Sequence, residues 1–403
     1  MEISLLKSIF YNDVEAVEKY LSSHEDISHE AIFSLNFDKP DEIQLVIPKD
    51  NLRLIHIAAA GDAMEVFLLL EKYGFSINDV TAANYLPIHY ACNCSSYEIA
   101  SYIFSINPDM AKIEQQGVEF HLLYLTATGG DPGIMELLFK NGVNPKSSAN
   151  YRNDPIGKAV QSKNMECVKV LLSHGERPPQ NDNYTLPMSA AINIQPKAVE
   201  YLLDVDPNPI NYCSPVKHQS LLGLCCFYGV NFKQTILNIL RRADNVEPNI
   251  PDVDGPVHWI CTIVDIDIAK EFLKHDINVN RLDQDGKTGF HYLFDKPDKE
   301  ATILELMGLL IDAGFDVNIR REPRPNMPSP PSVLEHFCSS IKKSYPIISF
   351  LIDNGADIYA LDKNGNRLCD TIMSRRDAKL KKLFQKSKLY IPDKEVKRKS
   401  SKS

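Results

Sequence analysis

The sequence predicts an all-α solenoid of about ten to eleven helix-turn-helix repeats joined by short turns and hairpins. Two observations carry this reading. A short motif recurs along the chain at a nearly constant step, and each copy has the same inner layout. Leu54-Ile55-His56-Ile57-Ala58-Ala59 is followed by Pro87-Ile88-His89-Tyr90-Ala91, and later by Pro256-Val257-His258-Trp259 and Gly289-Phe290-His291-Tyr292. Degenerate copies fill the interval, such as Pro155-Ile156-Gly157-Lys158-Ala159, Pro187-Met188-Ser189-Ala190-Ala191 and Leu221-Leu222-Gly223-Leu224-Cys225. The His-equivalent positions 56, 89, 124, 157, 189, 223, 258 and 291 are separated by 33, 35, 33, 32, 34, 35 and 33 residues. Weaker copies centre on Glu335 and Asp370, after steps of 44 and 35.

From the N-terminus, Leu5 to Phe10 and Val14 to Leu21 read as two helices around Asn12-Asp13, a capping pair over residues 1–25 with a polar outer face. Residues 26–50 exceed a normal connection and read as an insertion. The array occupies 51–385. In each copy an Ala-rich first helix is followed by a polar break, such as Gly61-Asp62, Ser95-Ser96 or Ser162-Lys163-Asn164. A second helix then carries apolar residues at three- and four-residue spacing, as in Val168, Leu171 and Leu172. Gly74, Gly142, Gly175, Gly314 and Gly355 stand where a left-handed C-terminal cap is easiest for glycine. Asp283-Gln284-Asp285-Gly286 and Asp362-Lys363-Asn364-Gly365 read as turns between copies. Residues 320–332 hold five Pro and form an inserted loop, which accounts for part of the 44-residue step. Residues 386–403 are a basic tail, expected to lack structure.

This pattern resembles the ankyrin-repeat family, whose consensus has a Gly turn, Thr-Pro-Leu-His-x-Ala, and a second helix ending in Leu-Leu and Gly-Ala-Asp-Val-Asn. Gly314-Phe315-Asp316-Val317-Asn318 and Gly355-Ala356-Asp357-Ile358 match the end best. The resemblance covers about residues 1–385 and is weakest over 117–240, where the His is absent. It implies that His56, His89, His258 and His291 are structural and hydrogen-bond neighbouring turns. They recur singly, in different layers, which is unlike a metal or catalytic set.

Composition narrows the function. The 403 residues are 44% hydrophobic, enough for a folded core, and the length prior of two or three domains gives way to one array. No apolar run approaches a membrane span, and Met1-Glu2-Ile3-Ser4 does not open a standard signal peptide. Nine scattered Cys without a C-x-x-C pair indicate reduced thiols. The net charge of −9 divides unequally: Arg375 to Ser403 hold 12 Lys+Arg against 3 Asp+Glu, and the first 374 residues hold 32 against 50. A body of −18 disfavours nucleic acid as a partner, whereas the tail carries +9.

Other constellations point away from catalysis. Cys92-x-Cys94 and Cys225-Cys226 lack further ligands at ordered spacing, so no metal is expected. Asp362 to Asn366 has Arg367 and Met373 where a calcium loop needs Gly and Glu. Gly129-Gly130-Asp131-Pro132-Gly133 lacks the spacing and the Lys of a phosphate cradle, and no cofactor is expected. No G-x-S-x-G or H-E-x-x-H occurs. Lys379 to Lys386 continues a helix with a basic face, read either as an anionic-surface or nuclear-import signal or as a solvated capping helix.

The resemblance implies a partner-binding concave surface of turn tips and first-helix faces. Its variable positions fall here on Tyr85, Phe120, Tyr151, Asn153, Asn183, Lys217, Gln219, Phe227, Tyr228, Gln284 and Lys287. The aromatics among them are the leading contact candidates. The expected function is a non-enzymatic scaffold or adaptor for another protein, monomeric by itself and cytoplasmic, with a nuclear destination open through the tail. A targeting or regulatory subunit of an enzyme complex is the alternative, and an enzyme with an unrecognised site the lesser one.

Overall fold

The computed structural model describes residues 2–24, 33–34, 45–113, 121–144, 154–176, 185–206, 210, 213–214, 219–248, 254–293, 299–320, 330–340, 343–362 and 365–390. The chain divides into two compact units, Met1–Asn181 and Asp182–Ser403. Among the described residues regular structure is helical, with three isolated β-bridges: Phe33–Leu52, Cys213–Ser220 and Leu361–Arg367.

The first unit holds five helix pairs: α1 (Glu2–Phe10) and α2 (Val14–Ser23), α3 (Leu54–Ala60) and α4 (Met64–Lys72), α5 (Pro87–Cys94) and α6 (Tyr97–Ile106), α7 (Leu122–Gly129) and α8 (Pro132–Lys140), α9 (Pro155–Gln161) and α10 (Met165–Ser173). First helices pack on first helices, α1 on α3 and onward to α9, and second helices likewise from α2 to α10. Each pair therefore buries its faces only against its neighbours, the arrangement expected of stacked repeats. Small residues permit the approach. A Cβ on Gly129 would stand 2.7 Å from the carbonyl oxygen of Asn93 in the preceding first helix. The layer between is filled by Phe67, Leu70, Ile103 and Leu138, all buried.

The second unit repeats the plan with α11 (Leu186–Ile192) and α12 (Pro196–Val205), α13 (Leu221–Tyr228) and α14 (Lys233–Arg242), α15 (Pro256–Ile263) and α16 (Ile266–Phe272). In the next copy the first helix is a single 3-10 turn, Gly289–Leu293, followed by α17 (Glu300–Asp312). There the sequence led us to expect a short helix like the others. Gly289, a poor helix former, starts the segment because a Cβ would stand 2.7 Å from the carbonyl oxygen of Val257. Then come α18 (Val333–Ser339) with α19 (Tyr345–Asp353) and α20 (Leu368–Ser374) with α21 (Ala378–Lys386). Second helices α12, α14, α16, α17, α19 and α21 pack in that order.

In seven of the pairs the reversal between helices has one solution. A residue in the left-handed region stands in the break: Asn12, Asp62, Ser95, Gly130, Lys163, Ile194 or Val264, each with φ between 51° and 95°. The polar ones and glycine tolerate it, whereas β-branched Ile194 and Val264 do so at a cost. Neighbouring copies are tied by the asparagines that end the second-helix turn. Asn280 donates from Nδ2 to the Gly314 carbonyl (2.9 Å) and accepts the Asp316 N–H (2.8 Å). One copy later Asn318 makes the same two bonds to Gly355 and Asp357, at 2.9 and 2.8 Å.

Candidate interaction surface

The repeated histidines are the residues most open to a chemical reading, and their geometry is uniform. Each is the third residue of a first helix. Nδ1 of His56, His89, His258 and His291 accepts the N–H of the residue before the helix (Arg53, Leu86, Gly255, Thr288) at 3.0–3.2 Å. Nε2 then donates across to the next turn: His56 to the carbonyls of Asp79 and Tyr85 (both 3.1 Å), His258 to Lys287 (3.2 Å) and His291 to Pro331 (3.0 Å). Nδ1 is an acceptor in all four, so Nε2 carries the proton. Burial holds these rings neutral, pushing His56 and His89 down to about 4 and lowering His258 and His291, against the opposing backbone bonds of His56, His258 and His291. A ring whose two nitrogens are committed to backbone groups has no lone pair left for a metal or a substrate proton.

In four copies without the histidine, a different device caps the same helix. The side chains of Asp154, Thr185, Ser220 and Ser332, each just before its helix, accept the N–H of the third helical residue: Gly157, Met188, Gly223 and Glu335. Met188 thus holds the position that the spacing assigned to Ser189, a shift of one residue. Ala190 and Ala191 fit either register, and the Thr185 cap decides between them.

Five buried cysteine thiols are held in the protonated, unreactive form. Burial pushes Cys92, Cys167 and Cys338 up to about 12 and raises Cys225 and Cys226 further. Among the described residues no group of three His, Cys, Asp or Glu is placed to hold a metal ion. No helix there is long and apolar enough to cross a membrane.

The residues named for partner contact are distributed unevenly. Tyr85 is a correction. It is 4% exposed, with its ring 5.4 Å edge-on to His89 and its carbonyl bound to His56, so it packs between copies and offers nothing to a partner. Phe120, Tyr151, Asn153, Asn183 and Lys217 lie outside the described residues. The others belong to the second unit. Phe227, at the end of α13, is 73% exposed and edge-on to Tyr228, which is half-buried. Gln219 and Gln284 are exposed. Lys287 is half-buried, and its Nζ bonds Asp285 at 2.9 Å.

Two further apolar residues escaped the sequence reading. Val230 is 83% exposed just beyond α13, and Ile194 is 48% exposed in the break after α11. Ile194 combines two penalties, a left-handed β-branched backbone (φ 55°) and an exposed apolar side chain. Val264 shares the backbone but is 3% exposed, so burial offsets its cost. The signal was an apolar residue in a break that is polar in the earlier copies.

A family model for ankyrin repeats in three copies matches residues 123–211, the stretch where the repeat histidine is missing. Over these residues the chain carries ankyrin repeats. Ankyrin repeats are protein-interaction modules, so a protein partner is implied. Among curated proteins, the chain is similar to the NAD-dependent deacetylase sir2B of Dictyostelium discoideum, 24% identical over 316 residues, which are 66% of this chain and 39% of that protein. It is also similar to the putative ankyrin repeat protein L371 of Acanthamoeba polyphaga mimivirus, 24% identical over 125 residues, 31% of this chain and 16% of the other. The chain therefore spans well under half the length of both curated relatives. Among solved structures, the human ASB11 ankyrin repeat domain aligns with a TM-score of 0.41 and 19% identity, over 62% of this chain and 96% of that one.

Proposed function

We infer that the chain is a non-enzymatic scaffold or adaptor, and that a protein partner docks on the second unit where α11 and α13 end. The observation that carries this is the exposure of Phe227, Val230 and Ile194 on adjacent copies, with an unfavourable backbone maintained at Ile194. Exposed aromatic and aliphatic side chains on a rigid helical framework are the elements from which interface hot spots are made. Gln219, Gln284 and Lys287 extend the surface with polar groups. The test is proximity labelling in cells followed by quantitative capture with purified chain. Phe227→Ala and Val230→Ser together are expected to weaken capture of the main partner about tenfold or more while leaving the unfolding temperature unchanged. Undiminished capture would overturn this docking surface.

A second reading, a targeting or regulatory subunit of an enzyme complex, is favoured by the likeness to a protein named as an NAD-dependent deacetylase. In that case the captured partner is itself catalytic. The purified chain is then expected to release no nicotinamide from NAD in the presence of acetylated peptides. Turnover would exclude both readings.

A further inference from the structure

A second surface lies on α21, and its chemistry differs from that of the first. Leu380 and Phe384, four residues apart, are fully buried against the neighbouring helices α19 and α20. Lys379, Lys382 and Lys386 follow three- and four-residue spacing on the opposite side and are exposed, as are Arg376 before the helix and Lys388 after it. Elsewhere in the fold some exposed cations pair with a carboxylate, as in Lys169–Glu166, Arg242–Asp204 and Lys274–Glu271; what sets α21 apart is that five exposed cations fall together within residues 376–388. Among the described residues no ion pair engages Arg376, Lys379, Lys382, Lys386 or Lys388. The nearest carboxylate, Asp377, is committed: it accepts the Leu380 N–H (3.0 Å) and the Tyr345 hydroxyl, and stands 3.8 Å from Lys343 Nζ. Lys379 Nζ lies 4.2 Å over the Tyr345 ring, which orients it without neutralising it.

We propose that the outer face of α21 docks an acidic polypeptide segment of a partner protein. Three classes of anion could answer this charge, and the structure separates them. An amphipathic helix anchors firmly on a membrane surface by putting its apolar side into the lipid, and here that side is already buried in protein, leaving only the weaker electrostatic attraction. A nucleic acid duplex would bring a long row of phosphates past a body of 50 Asp+Glu against 32 Lys+Arg, whose field opposes it. A short acidic peptide needs only the nine-residue helix, about 13 Å long. Leu389, 47% exposed at its end, supplies an apolar contact beside the charges. This surface is distinct from the one around Phe227.

The test is fluorescence anisotropy of a labelled polyglutamate peptide of about ten residues titrated with the full chain, at about 0.05 M and about 0.3 M salt. Saturable binding is expected at low salt, weakened about fivefold or more by the triple substitution Lys379→Glu, Lys382→Glu and Lys386→Glu and by the higher salt. Phe227→Ala is expected to leave it unchanged. The triple Lys→Gln variant serves if charge reversal lowers the unfolding temperature. Phosphatidylserine vesicles and a short DNA duplex are run in parallel. Absence of peptide binding, equal binding by the substituted chain, or tighter binding of vesicles or duplex than of peptide would overturn the proposal.

Discussion

His291 donates from Nε2 to the carbonyl oxygen of Pro331 at 3.0 Å, across 40 residues of chain. The equivalent bonds of His56 to Tyr85 and His258 to Lys287 span 29 residues. In all three the acceptor stands two residues before the next first helix, just ahead of Leu86, Thr288 or Ser332. The Pro-rich insertion therefore lengthens the connection without moving its anchor. Arg320 closes the same loop from the other end, donating to the Pro330 carbonyl (3.0 Å) and to that of Leu361 (3.1 Å).

This closure predicts that the insertion is dispensable for folding. Replacing residues 321–329 by Gly-Gly leaves both anchoring bonds in place, and loop-closure entropy changes slowly with length. Unfolding by urea, followed through Trp259, the only tryptophan, is expected to shift by less than about 1 kcal/mol. A loss of several kcal/mol would show that the insertion itself packs on the fold.

The two capping devices predict an inequality between histidine substitutions. His258→Ala leaves the Gly255 N–H and the Lys287 carbonyl without their partner, and Gly255 has no side chain to substitute. A cost of about 3 kcal/mol follows from two buried groups losing a bond. In the next copy Thr288 precedes the helix, with its Oγ1 2.9 Å from His291 Nδ1. Once the imidazole is removed that hydroxyl can cap the helix as Thr185 does. His291→Ala is therefore expected to cost about 1 kcal/mol less than His258→Ala. Equal losses would mean that Thr288 does not take over.

Where Ser220 alone caps α13, Ser220→Ala is expected to lower stability by about 1 kcal/mol, and Ser220→Gly by less. Trp259 is again the reporter, since it packs beside Gly223 at the start of that helix.

These relationships show which parts of the molecule the sequence made legible. Periodicity located the helix pairs because both helices of a copy must present apolar residues to fixed neighbours, and Gly and Pro mark their ends. It placed the third helical position in nearly every copy. At Met188 it slipped by one, because two small residues fit either register and only the Thr185 cap distinguishes them. Contact residues were harder to read. Tyr85 and Phe227 both look like aromatics beside a turn, yet one is clamped between His56 and His89 and the other faces solvent. That difference is set by packing against His89 and Tyr90 of the same copy together with His56 of the preceding one.

The last prediction concerns pH and two groups of opposite sign in the first unit. His56 and His89 are held near 4 by burial, below the ordinary 6.5. Their neutral-state stability is complete above pH 6.5 and is lost as the pH falls towards 4, by about 3 kcal/mol each at most, because the unfolded chain takes up the protons first. Burial raises Asp154 to about 6 and Glu176 to about 7, and the Asp154 charge adds to the effect on Glu176. Here the folded value lies above the unfolded one, so stability is complete below about pH 4 and is lost as the pH rises through 6 and 7. The two effects oppose across the same window and flatten the profile of the native chain. Asp154→Asn removes the buried charge and keeps an oxygen for one of the two N–H groups, Ile156 or Gly157, that the carboxylate accepts through Oδ1 and Oδ2. Together with Glu176→Gln it is expected to raise stability at pH 8 by on the order of 2 kcal/mol and to leave stability at about pH 4.5 nearly unchanged. The doubly substituted chain then becomes steadily more stable from about pH 4.5 to 6.5, the histidine slope unmasked. Urea midpoints by circular dichroism at those pH values decide it, and a double variant weaker than the native chain at pH 8 would refute the assignment.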